Sequence, residues 1–117
     1  NFFSKLGFSI NETYSNDDAI CVELNELTSV MLLKNEFFAT FISLPLAEAK
    51  QKTAVLLAIS LDSREGVEAF FQQAIALGAS EAREPQDYGY MFSRSFHDLD
   101  GHIWEPFYMN EKDFPAA

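Results

Sequence analysis

Glu105 is the residue whose surroundings in this sequence most call for chemistry. In Ile103-Trp-Glu-Pro-Phe-Tyr-Met109, strand alternation groups it with Ile103, Phe107 and Met109, opposite Trp104, Pro106 and Tyr108. An ionised carboxylate among three large hydrophobes is costly unless a cation, a donor or a water-filled cavity meets it. It can then accept a ligand's hydrogen bond, act as a general base or hold a metal ion. It can equally form a structural ion pair with Arg94 or Arg83, and both readings stay open. Arg94 shares an alternating face with Tyr88, Tyr90, Phe92 and Phe96. A guanidinium there stacks on rings, binds a carboxylate or pairs with an internal acid. Tyr90, Phe92 and Phe107 can line a pocket or fill a core. The candidate ligand-binding set is therefore Glu105, Arg94, Tyr90, Phe92 and Phe107, with Glu105 the catalytic candidate if the protein is an enzyme. His97 and His102 flank a hairpin tip, a setting that favours surface packing over ligation. No nucleophile elbow, phosphate-cradling glycine loop or Cys/His cluster is present.

The elements that must position these groups fall into two similar halves. In the second, Thr53–Leu61 is a continuous apolar run suited to a buried strand. Asp62 and Glu65 make a capping-box-like start, and Val67, Phe70, Phe71, Ala74, Ile75 and Leu77 form a helical stripe ending at Gly78. Strands are expected at Ala79–Arg83, Tyr88–Phe96 and His102–Met109, the last two joined by the turn Asp98-Leu-Asp-Gly101. The order is β-α-β-β-β. In the first half a helix tail with Phe2 and Phe3 ends at Gly7, and strands follow at Phe8–Tyr14, Ala19–Leu24 and Ser29–Leu33. That is the same module without its opening strand, since the sequence begins at Asn1 inside the helix tail. The boundaries expected for one 1–117 domain are module one 1–33, connector 34–52, module two 53–110 and a C-terminal tail 111–117. The connector carries Phe37, Phe38, Phe41, Ile42, Leu44 and Leu46, too apolar for a solvated linker. It reads as a packing helix, a dimer contact or a lid.

A 117-residue chain with 48% hydrophobic residues suits one domain with a sizeable core. Its net charge of −10 argues against nucleic acid and anionic membrane surfaces as partners. No apolar run is long enough for a membrane helix, and no signal-peptide pattern is seen. Cys21, the one cysteine, reads as a buried thiol. The expected location is the cytoplasm.

Phe2-Phe-Ser-Lys-Leu-Gly-Phe8 near the start and Arg94-Ser-Phe-His-Asp-Leu-Asp-Gly-His-Ile-Trp-Glu105 near the end, within a twice-used β-α-β-β-β order, resemble the vicinal oxygen chelate superfamily. That group holds glyoxalase I, fosfomycin- and bleomycin-resistance proteins and extradiol dioxygenases. The likeness is greatest to short bacterial lactoylglutathione-lyase-like proteins. It implies an α+β fold in which two β-α-β-β-β modules form a curved, cup-like mixed sheet, and often a homodimer. It also implies a divalent metal held by one residue from each of four strands. The first falls before Asn1, the second at Met31–Leu33 and the third at or beside Val55, where this sequence is apolar. Only Glu105 matches. The resemblance thus implies a small-molecule-binding protein with an incomplete metal site. It would need no cofactor unless ligands lie upstream of Asn1. The alternative is a metal-dependent lyase, isomerase or dioxygenase of the glyoxalase I type. Apolar or cationic compounds suit an acidic, aromatic-lined cup.

Overall fold

The computed structural model describes residues 1–113 and divides into two compact units, Asn1–Glu48 and Ala49–Ala117. The expected tail at 111–117 is described only as far as Asp113, in one 3-10 turn, Glu111–Asp113; the rest lies outside the described residues.

The first unit contains helix α1 (Phe2–Lys5) and strands β1 (Ser9–Ile10), β2 (Ala19–Glu23) and β3 (Ser29–Leu33), paired as an antiparallel meander. A short helix, α2 (Asn35–Ala39), follows. Phe3, Leu6, Ala19, Cys21 and Val22 are buried. The strand expected over 8–14 stops early because Asn11 turns the chain. Its side chain accepts from the Thr13 N–H at 3.1 Å, and a 3-10 turn forms at Glu12–Tyr14. The connector is not a long helix. α2 ends where the Thr40 hydroxyl bonds the Phe37 carbonyl, and Pro45, downstream, keeps Leu44 out of helical geometry.

The second unit is a complete β-α-β-β-β module. It runs β4 (Leu56–Ser60), α3 (Arg64–Ala76), β5 (Ser80–Asp87), β6 (Met91–His97) and β7 (Ile103–Met109), with sheet order β4-β7-β6-β5. β4 lies parallel to β7 and the other pairs are antiparallel. The helix cap is Ser63, whose Oγ accepts from the Gly66 N–H at 2.9 Å, so the expected start at Asp62 moves by one residue. β4 is an edge strand with alternating exposure, not a buried one; Leu56 is 46% exposed. β5 continues through Pro85 to Asp87, which the sheet tolerates because an edge strand need not donate at every residue.

The same helix closure occurs in both units. The N–H groups of Gly7 and Phe8 bond the carbonyls of Ser4 and Phe3, as those of Gly78 and Ala79 bond Ile75 and Ala74. Gly7 and Gly78 adopt φ of 115° and 107° to make it. This shared geometry is the structural counterpart of the repeat seen in the sequence.

Candidate functional site

The hairpin between β6 and β7 decides which side chains share a face. The Asp98 N–H bonds the His102 carbonyl at 2.8 Å, and the ladder beyond sets His97 opposite Ile103, Phe96 opposite Trp104 and Ser93 opposite Phe107. Opposed residues point the same way. Ile103, Glu105 and Phe107 therefore lie with Ser93, Ser95 and His97, while Trp104, Pro106 and Tyr108 lie with Phe92, Arg94 and Phe96.

Helix α3 covers the second of these faces. The rings of Phe70 and Phe96 are 6.2 Å apart, the Arg94 guanidinium lies 3.7 Å from the centre of the Phe71 ring, and Arg64 lies 4.8 Å from that of Phe92. Arg94 Nη1 donates to both carboxylate oxygens of Glu68 at 2.6 and 2.7 Å, and Nη2 donates to Glu81 at 2.6 Å. Arg94 is thus the internally paired guanidinium of the alternatives above, buried under the helix.

On the opposite face, Ser95 Oγ donates to Glu105 Oε2 at 3.1 Å and Arg83 Nη2 stands 3.7 Å from the same oxygen. The Glu105 side chain is 13% exposed and that of Arg83 52%. Across the parallel pairing, Ala58 sits opposite Glu105, with Leu56 and Ser60 as its neighbours on that face. Ser93 is fully buried, and its hydroxyl has no hydrogen-bond partner among the described residues. The arrangement is a carboxylate and a guanidinium in loose contact, bordered by serine hydroxyls and by Ile103 and Phe107.

The five residues proposed from the sequence therefore do not form one site. Glu105 and Phe107 share a face; Arg94 and Phe92 lie on the other. Tyr90 is in neither strand. It belongs to the turn before β6, where Gly89 has φ of 80° and the Tyr88 N–H bonds the Met91 carbonyl, and its ring stacks on Tyr88 with centroids 6.2 Å apart. Alternation gives each strand's two faces but cannot say which face of one strand matches which face of the next. That link is the register of the Asp98–Gly101 turn. Sequence reasoning missed Ser93 and Ser95, whose signal was a pair of small hydroxyls alternating with Arg94 and two phenylalanines.

Elsewhere, charge pairs sit at the rim of the helix-covered face. Asp87 is held below the usual carboxylate range by the Arg64 guanidinium and by the Gly89 N–H. Glu68 is lowered chiefly by the Gln72 hydrogen bond, with Arg94 adding to it against the opposing effect of burial. In the first unit a hollow of about 350 Å³ is lined by Gly7, Phe8, Ser9, Glu23, Leu24, Asn25 and Glu26. Its lining has no cation, thiol or imidazole.

The sequence resemblance implies a divalent metal, and the donor set tests it. Glu105 Oε2 already accepts from Ser95 and stands 3.7 Å from the Arg83 guanidinium, a charge that opposes a second cation there. Val55 and Met31–Leu33 offer no donor of the kind such ions need. Among the described residues no three His, Cys, Asp or Glu side chains gather in one place. These residues do not fit the metal.

No family model matches the sequence, and no curated protein matches it. Solved structures do. A glyoxalase-related enzyme from Fulvimarina pelagi superposes with a TM-score of 0.77 at 16% identity, over 99% of this chain and 80% of that one. A glyoxalase/bleomycin resistance protein/dioxygenase family enzyme from Burkholderia phytofirmans gives 0.74 at 17%, over 92% and 85%. A genomically encoded fosfomycin resistance protein from Listeria monocytogenes gives 0.59 at 18%, over 89% and 73%. At these identities the likeness is one of fold alone: the chain shares its fold with these glyoxalase-related, glyoxalase/bleomycin resistance/dioxygenase and fosfomycin resistance structures.

Proposed function

We propose that this protein binds a small molecule, without a resident metal, on the face of the second sheet that carries Glu105, Arg83, Ser95 and Phe107. The observation behind this reading is the mostly buried Glu105 carboxylate, set between apolar strand neighbours and held, among the described residues, by one hydrogen bond and one long ion contact. A folding role alone would favour a closer pair or none, because a carboxylate removed from water is costly. The glyoxalase-like fold supports the same reading.

The protein works in this view as a cytoplasmic homodimer. No described helix is long and apolar enough to cross a membrane. Phe41 and Leu44 of the connector, 66% and 78% exposed, are an apolar surface available to a second copy. Sedimentation of the protein is expected to give a dimer.

The test is a thermal-shift screen of drug-sized apolar compounds against the wild type and Phe107→Asp. Stabilising compounds are expected, and their effect should vanish in the variant while its unliganded unfolding remains cooperative. Compounds that stabilise both proteins equally would remove this face from consideration. Metal analysis of the same preparation is expected to find less than stoichiometric zinc, nickel, iron and manganese.

A further inference from the structure

The cation beside Glu105 is part of the protein itself, and this bears on which ligand the face accepts. Arg83 reaches the surface because the register of β5 changes between Glu81 and Arg83. Arg83 lies opposite Ser95, on the Glu105 face, whereas Glu81 lies opposite Phe96 and bonds Arg94 on the helix side. Among the described residues the Arg83 guanidinium makes one charged contact, 3.7 Å to Glu105 Oε2, and its side chain is half exposed. A guanidinium carries five N–H donors in a planar fork, so this long contact leaves most of its capacity unused. Glu105, by contrast, is nearly enclosed, and its Oε2 already accepts from Ser95. The solvent-accessible valence of the pair is therefore on the cationic side.

We infer that Arg83 is the specificity-determining residue of this face, anchoring an oxyanion, most simply a carboxylate, on a ligand whose apolar body lies against Phe107 and Ile103. This rests on the reading of the face as a ligand site and names its substrate class. The guanidinium offers two parallel N–H donors matched to a carboxylate. Glu105 then acts as a positioning residue. It holds the guanidinium over the apolar strand and competes with the incoming anion. A cationic ligand, which the overall acidity of the chain favours, meets at this point a positive charge and an acid already engaged.

The two members of the pair are expected to respond in opposite directions. Isotope-labelled protein is titrated, with amide shifts as the readout, with 4-phenylbutyrate and with 4-phenylbutylamine, which share a body and differ in the sign of the head group. The acid should shift β5, β6 and β7 resonances around Arg83, Ser95 and Phe107, and the amine should bind at least about tenfold more weakly. Arg83→Gln should lower affinity for the acid about tenfold, Arg83→Lys should retain part of it, and Glu105→Gln should preserve or raise it by releasing the guanidinium. Preferential binding of the amine, abolished by Glu105→Gln, would overturn the oxyanion assignment while leaving the face a ligand site. Shifts from neither probe, together with no stabilising compound in the thermal screen, would remove the site itself. The amide spectrum of each variant without ligand reports its fold independently, and Arg83, half exposed with one long contact, is a position where substitution leaves the core untouched.

Discussion

Glu81 and Arg83 stand two residues apart on β5 yet serve opposite faces of one sheet. Glu81 accepts from Arg94 at 2.6 Å on the helix side, and Arg83 lies 3.7 Å from Glu105 on the other. A regular strand would put both side chains on the same face. The register shift between them absorbs one extra residue, Ala82. Two opposite charges are thereby delivered to two separate tasks, one within the packing of α3 and one on the candidate site.

Arg94 belongs to the first task, and its loss should be felt as stability. Arg94→Met keeps an unbranched chain over Phe71 but leaves Glu68 and Glu81 without their shared cation. Both acids are 40% or more exposed, so water recovers much of their solvation and the full cost of breaking a buried pair does not apply. A loss of about 2 kcal/mol is expected by urea denaturation, and Arg94→Ala should lose more because the stack on Phe71 goes as well. Ligand titrations with Arg94→Met should match the wild type. A ligand-affinity loss without a stability loss would return Arg94 to the site.

Asp98 holds the hairpin that fixes the faces. Oδ1 accepts from the N–H groups of Asp100 and His102 at 2.9 and 3.0 Å, and Oδ2 accepts from the Trp104 indole at 2.9 Å. Trp104 is 2% exposed, so Asp98→Ala strands a buried donor as well as opening the turn. A destabilisation of about 2–4 kcal/mol is expected, and Asp98→Asn, which keeps two acceptor bonds, should lose about half as much. Trp104 is the sole tryptophan, and its emission reports the change directly.

The turn also explains what the sequence could and could not disclose. Asp98-Leu-Asp-Gly101 was readable because its residue types dictate local geometry. The helix stripe ending at Gly78 and the shared closure at Gly7 were readable for the same reason. Each depends on neighbours within a few positions. Arg94 and Glu105 were placed in one pocket because strand alternation is blind to the neighbouring strand. Only the ladder, with Ser93 opposite Phe107, shows that Arg94 faces the helix. The bulge at Ala82 had no composition signal, since nothing but the pairing of β5 with β6 requires it. Tyr90 was misplaced because Gly89 initiates a turn where aromatic alternation suggested a continuing strand.

Acid should weaken the rim of the helix-covered face. Asp87 and Glu68 both have folded-state pKa values below their ordinary range, Asp87 through Arg64 and Glu68 through Gln72 and Arg94. Lowered carboxylate values favour the folded state where both groups are ionised, above about pH 5, and that benefit disappears as pH falls through the folded values. The melting temperature of the wild type should therefore decline more steeply below about pH 4.5 than that of Glu68→Gln/Asp87→Asn. The double variant should be less stable at pH 7, and the two curves should converge as the pH falls through the folded values. Parallel curves would mean that these pairs add nothing to folding.

Glu105 allows the sharpest separation of folding from function. Its carboxylate is removed from most water, yet among the described residues it gains one serine hydrogen bond and a charge contact too long for a direct hydrogen bond. Replacing such a group by a hydrophobe of similar volume is often neutral or stabilising, provided no buried partner is left unpaired. Ser95 is that partner, 2% exposed, whereas Arg83 can turn to water. The double substitution Ser95→Ala/Glu105→Leu extends the apolar surface of Ile103 and Phe107 and orphans nothing. It should leave stability unchanged or raise it by up to about 1 kcal/mol, measured by denaturant unfolding, while Glu105→Leu alone should fare worse because the Ser95 hydroxyl loses its acceptor. A double variant more stable than the wild type means that the carboxylate is retained at a cost to folding, as a group kept for binding would be. A loss of 2 kcal/mol or more would mark Glu105 as a structural residue and take away the main support for a ligand site on this face.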